Sequence, residues 1–109
     1  MCLIKLDQDN QPYYVDQFGA PAKCSETVQW KSINGRFSVT IRDAIKYFNP
    51  PVNCVEKFIV DSTIGGGLSN IYTIINNLAT GTQIPYEVYC ISKSDQGDAP
   101  PRIIITPSA

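Results

Sequence analysis

The 109-residue chain contains no histidine. That absence excludes a Ser-His-Asp triad, a Cys-His dyad, an imidazole-ligated metal and a histidine pH switch. Charge is also scarce, at 17% of residues against the usual share of about 25%. Nine basic residues face ten acidic ones, a net charge of -1. The basic residues are scattered singly from Lys5 to Arg102, without the clustered basic face that nucleic-acid binding needs. No apolar run approaches the length of roughly 18 residues that a membrane span requires. No Asn-x-Ser/Thr glycosylation sequon occurs. The start, Met1-Cys2-Leu3-Ile4-Lys5, lacks the apolar stretch of a signal peptide. A cytoplasmic protein is therefore expected, or a periplasmic or secreted one if a leader was removed. The cysteines Cys2, Cys24, Cys54 and Cys90 include no CxxC pair, so a zinc knuckle is not expected. They are read as reduced, mostly small buried hydrophobes, with disulfide pairing open in an oxidising compartment.

What is present favours strands. The chain is rich in isoleucine, valine and tyrosine, and eight prolines and seven glycines interrupt it at short intervals. Residues 1–109 are read as one domain. Cys2 to Asp7 is a strand candidate, and Tyr13 to Phe18 a weaker one ended by Gly19-Ala20-Pro21. Thr27 to Ser32 alternates with Val28 and Trp30 on one face. Arg36 to Ile41 alternates with Phe37, Val39 and Ile41 on one face. Asn34-Gly35 between them is the preferred two-residue turn pair, so the segment is expected to be a hairpin, with Trp30 in the core across from Phe37 or Val39. Ala44, Ile45 and Phe48 shift to helical spacing, which predicts a short helix near residues 43–48, stopped by Asn49-Pro50-Pro51. Further strands are expected at Val55–Asp61, Leu68–Asn76, Tyr86–Ile91 and Arg102–Thr106, with Ser92 to Pro101 a polar loop. The strand count and spacing predict an all-β, two-sheet antiparallel Greek-key sandwich.

Four sets of residues are candidates for chemistry. Cys90 could be a thiolate ligand or redox thiol, provided that Lys93 or another cation lowers its pKa. Ser62-Thr63-Ile64-Gly65-Gly66-Gly67 is rich in glycine, but it lacks both the Gly-Lys-Ser/Thr ending of a phosphate loop and the G-x-G-x-x-G of a dinucleotide site, and reads as a flexible turn. Asp7, Asp9, Asp16, Asp95 and Asp98 could offer loop oxygens to calcium, without any recognised spacing. Trp30 and the tyrosines Tyr13, Tyr14, Tyr47, Tyr72, Tyr86 and Tyr89 could supply a contact surface. If extended, Tyr13 and Tyr14 point to opposite faces, which would expose one of them.

Taken in order, Val28-Gln29-Trp30, Phe37-Ser38-Val39, Tyr86-Glu87-Val88-Tyr89-Cys90 and Arg102-Ile103-Ile104-Ile105-Thr106-Pro107 resemble the cupredoxin (plastocyanin-like) sandwich over roughly residues 25 to 107. Between Arg42 and Thr82 nothing matches. An immunoglobulin-like sandwich is the near alternative, since Cys24, Trp30 and Cys90 occur in the Cys-Trp-Cys order, with a short first gap. The resemblance puts Cys90 at the place of the copper cysteine. Lys93 stands where a second histidine often follows, and the only methionine, Met1, is not downstream of Cys90. The resemblance therefore implies the fold without the blue-copper site. No cofactor is expected. The expected function is a non-catalytic protein-interaction or assembly module, binding a protein partner or its own copies through an unblocked strand edge. The alternatives are a metal-binding or redox relic using Cys90 and a small enzyme.

Overall fold

The computed structural model describes residues 1–107. Its strands are β1 (Cys2–Asp7), β2 (Gly19–Ala22), β3 (Thr27–Asn34), β4 (Arg36–Ile41), β5 (Glu56–Asp61), β6 (Tyr72–Thr73), β7 (Gln83–Pro85), β8 (Glu87–Cys90), β9 (Asp95–Gln96) and β10 (Arg102–Ile105). The helical segments among the described residues are three short 3₁₀ turns, so these residues are mainly β.

The alternation in β3 and β4 is realised residue by residue. Val28 and Trp30 are buried on one strand, and Phe37, Val39 and Ile41 on the next. The expected hairpin, however, does not form. β3 pairs with β1 and β6, whereas β4 pairs with β5 and β8 in another sheet. Asn34-Gly35 is an arch that carries the chain from one sheet to the other. Gly35 takes φ 102°, a conformation open to glycine, and its N–H donates to Ser62 Oγ at 3.1 Å. An arch turns the apolar faces of two successive strands toward one core, which a period of two allows as readily as a hairpin does. Trp30 accordingly packs against Phe58, Tyr72 and Tyr86, at ring-centroid distances of 5.5, 6.0 and 5.3 Å, and not across a hairpin from Phe37 or Val39.

The strands form three hydrogen-bonded sheets, ordered β1-β3-β6, β2-β10-β7 and β5-β4-β8-β9. The antiparallel expectation holds around β4 and fails twice, since β1 runs parallel to β3 and β2 parallel to β10. Only Tyr86 separates β7 from β8, and its N–H donates to the Pro101 carbonyl at 3.0 Å. Pro101 has no N–H to return that bond, so the ladder with β10 ends there.

Four local expectations are corrected. Tyr13–Phe18 is not a strand, and Gly19–Ala22 is. As an edge strand bonded on one side to β10, β2 tolerates Pro21. Tyr14 takes φ 66° and is fully buried, while Tyr13 is half-buried, so the extended-chain argument for these two does not apply. The helix near 43–48 is a single 3₁₀ turn, Ala44–Lys46. It buries Ala44, leaves Ile45 exposed, and ends as Phe48 bridges Ile74. Leu68–Asn76 pairs only at Tyr72–Thr73 and at single bridges from Leu68 and Ile74. There Ser69 replaces a ladder residue: its N–H donates to the Trp30 carbonyl at 2.9 Å, and its hydroxyl accepts the Trp30 N–H at 3.0 Å. The polar loop Ser92–Pro101 holds the two-residue strand β9 against β8.

Candidate interaction surface

Cys90 lies inward on β8 and is fully buried. Its Sγ is 3.9 Å from Ser92 Oγ. The Lys93 ammonium points instead to Asp9, at 3.5 Å. Met1 is exposed, at the start of β1, and the chain has no histidine. These residues do not fit a blue-copper group, which needs two imidazoles beside the thiolate. All four cysteines are free thiols. Cys2 and Cys90 are buried and Cys54 is exposed. Burial, with the Glu26 carboxylate adding to it, pushes the Cys2 thiol up to about 11, which keeps it protonated and inert near neutral pH.

The carboxylates of Asp7, Asp9, Asp16 and Asp95 are engaged locally. Asp7 Oδ1 accepts from Asn34 Nδ2 at 3.1 Å and from the Asp9 N–H at 2.9 Å. Asp16 Oδ1 accepts the Lys5 N–H at 3.0 Å, and the Asp98 N–H donates to the Pro12 carbonyl at 3.2 Å. Among the described residues, no three His, Cys, Asp or Glu side chains converge as a metal site. The three glycines of Ser62–Gly67 all take positive φ, and no long helix follows them to present N–H groups to a phosphate.

Three tyrosines serve the interior. The Tyr14 hydroxyl donates to Asp95, and that bond, with burial, raises its pKa to about 12. Burial, and then a 2.9 Å hydrogen bond to Glu56 Oε1, moves Tyr72 up further. Burial does the same to Tyr86; the Trp30 indole N–H lies toward its oxygen and opposes the shift, without reaching hydrogen-bond geometry. A phenol whose proton is held more tightly in the folded state stabilises the fold below the ordinary tyrosine value. That contribution disappears as pH climbs toward the folded value. Unfolding free energy should therefore begin to fall above about pH 10 and keep falling to about pH 12. Phenolate absorbance should show Tyr14, Tyr72 and Tyr86 ionising above the ordinary tyrosine value. Phenol ionisation that is complete near that value would contradict these three environments.

Tyr89 differs, being partly exposed on the outer face of the β4 sheet. The register there sets two rows, Lys57–Thr40–Glu87 and Ile59–Ser38–Tyr89. They line a shallow, open depression of about 470 Å³. Its strongest polar groups neutralise each other, with Arg42 Nε and Nη2 donating to the two Glu87 oxygens at 3.2 Å each.

The border of this face is β5, which is bonded to β4 on one side only. Apart from the Asp61 carbonyl, which accepts the Ile64 N–H, its backbone makes no hydrogen bond outside the β4 ladder among the described residues. Other edges are short or covered. β6 and β9 have two residues each, β2 carries Pro21, and the open side of β1 is bonded to Tyr14 and Asp16. Five of the nine exposed large apolar side chains among the described residues belong to β5 and the segments flanking it: Val55, Ile59, Ile64, Leu68 and Ile71. Ile59 is 52% exposed and Ile64 67%. This concentration was missed from the sequence, where Ile59 and Leu68 were read only as members of strands. The sequence carried no clear signal for it, because Leu68–Asn76 reads as a second strand that would close a hairpin on β5 across the glycines. Among the described residues, no helix is long and apolar enough to cross a membrane. Comparison of the chain with protein-family models, curated proteins and solved structures finds no match.

Proposed function

We propose that the protein is a non-catalytic interaction or assembly module, built on a cupredoxin-like Greek-key sandwich without a blue-copper site. The fold reading draws support from the near-continuity of β7 and β8. On this reading the β2-β10-β7 and β5-β4-β8-β9 sheets, separated in sequence by Tyr86 alone, would act as one layer of the sandwich and β1-β3-β6 as the other. The observation that carries the function is the six-residue β5 edge, unpaired on its outer side and flanked by exposed Ile59, Ile64, Leu68 and Ile71. Such an edge is a template for strand addition, with main-chain hydrogen bonds for affinity and alternate side chains for specificity.

The test is a photo-crosslinking residue placed at Ile59 in the protein expressed in its own cells, with Lys23, also exposed, as the control position. Protein adducts are expected at Ile59 and not at Lys23. A chain that forms no adduct at Ile59 is not an interaction module of this kind.

A further inference from the structure

Resting on that reading, we infer that the partner at the β5 edge is a second copy of the chain, in an antiparallel β5–β5 pair centred on Ile59. Pairing about a two-fold axis normal to the sheet keeps each face continuous, so residues of one face must meet residues of the same face. On β5 the outer face carries Lys57, Ile59 and Asp61, and the inner face carries Glu56, Phe58 and Val60. In the register Ile59 on Ile59, Lys57 stands opposite Asp61 of the second copy, and the symmetry makes this pair twice. Phe58 stands opposite Val60, also twice, extending the apolar face along the seam. Registers displaced by two residues either way take Lys57 off Asp61 and set it against Ile59 or Thr63.

The two charges are available for this use. Lys57 has no ion-pair partner among the described residues. The Thr63 N–H and hydroxyl donate to Asp61 Oδ1 at 2.9 and 2.8 Å, and with Arg36 they hold its carboxyl below the usual carboxylate range. Asp61 Oδ2 has only Arg36, at 4.0 Å. That leaves it ionised, on a side chain that is partly exposed. Opposite charges facing each other across an antiparallel pair stabilise it, and like charges oppose it.

Sedimentation equilibrium of the full chain, run at concentrations from about 1 μM to about 1 mM, should show a monomer–dimer equilibrium. Lys57→Asp places two Asp–Asp pairs at the seam and should weaken the dimer by about 10-fold or more. Asp61→Lys places two Lys–Lys pairs there and should do the same. The double variant exchanges the two signs and should regain most of the wild-type affinity. Ile59→Lys puts lysines face to face at the axis and should give a monomer without touching Asp61 or its turn. Circular dichroism of each variant separates dissociation from unfolding. A monomer at every concentration, or a dimer indifferent to Ile59→Lys, overturns the proposal, and so does a double variant as weak as the single ones. If the Ile59 adducts in cells have the mass of a different protein and the chain stays monomeric, the second copy is the wrong partner while the interaction reading stands. If no adducts form, both fall.

Discussion

Replacing Trp30 with alanine should lower the unfolding free energy by about 3–5 kcal/mol, the range for deleting a large aromatic from a packed core. Trp30 is fully buried and is the hub of an aromatic group drawn from several strands. Its ring meets Phe58 of β5, Tyr72 of β6 and Tyr86, which joins β7 to β8. Phe58 and Tyr72 also stack on each other at 5.7 Å. Removing the indole leaves a cavity bordered by all three rings, and it cannot collapse without moving both the β3 and the β4 sheets. Trp30→Phe should recover most of the loss. It keeps an aromatic ring and deletes an indole N–H that has no hydrogen-bond partner in the fold. Leaving such a buried donor unmet is itself unfavourable. Urea denaturation of both variants measures the two losses. A Trp30→Ala loss within the range of about 0.5 kcal/mol typical of surface substitutions would contradict the packing around this ring.

Gly67→Ala should be nearly as damaging, for a backbone reason. Gly67 takes φ +75°, and a methyl group there would lie 2.3 Å from the Ser32 carbonyl oxygen of β3. Gly66 supplies the internal control. Its φ of +69° imposes a comparable left-handed penalty, but the nearest atom is a flexible Leu68 methyl at 3.9 Å. Gly66→Ala is expected to cost about 1–2 kcal/mol, the price of the left-handed conformation alone. Gly67→Ala should cost at least about 3 kcal/mol, because a main-chain oxygen must also shift. The difference between the two urea midpoints isolates the close approach of the glycine turn to β3. Equal losses would mean that the turn does not touch β3. Residues 62–67, which in sequence read as a flexible turn, thus end in a contact that positions the segment after β5.

The same contact matters for the proposed surface. Gly67 against Ser32, and Ser69 against Trp30, hold the stretch from Ile64 to Ile71 beside β5. The exposed side chains of that stretch therefore lie on the flank of the open edge. Loss of Gly67 should blur the surface as well as weaken the fold.

The sequence by itself determined which residues turn inward on the well-patterned strands. Val28 and Trp30, then Phe37, Val39 and Ile41, then Tyr86, Val88 and Cys90 are all buried as their alternation requires. It also determined that the chain lacks the imidazoles of a blue-copper site, since composition needs no structure. Where alternation weakens, local composition no longer locates the strands. Gly19–Ala22 carries turn residues, yet pairs with β10 because an edge strand needs hydrogen bonds on one side only. Leu68–Asn76 carries strand residues, yet pairs little because Ser69 supplies the bonds a ladder would.

Tertiary structure alone decided the pairing. A period of two assigns a side chain to a face but names no neighbour, so β3 and β4 suit a hairpin and an arch equally. The choice of the arch came from the strands that flank each of them, β1 and β6 on one and β5 and β8 on the other. That choice also left β5 at a border. The open edge, the apolar flank beside it and the Lys57–Asp61 spacing along it acquire meaning only because no other strand among the described residues pairs there.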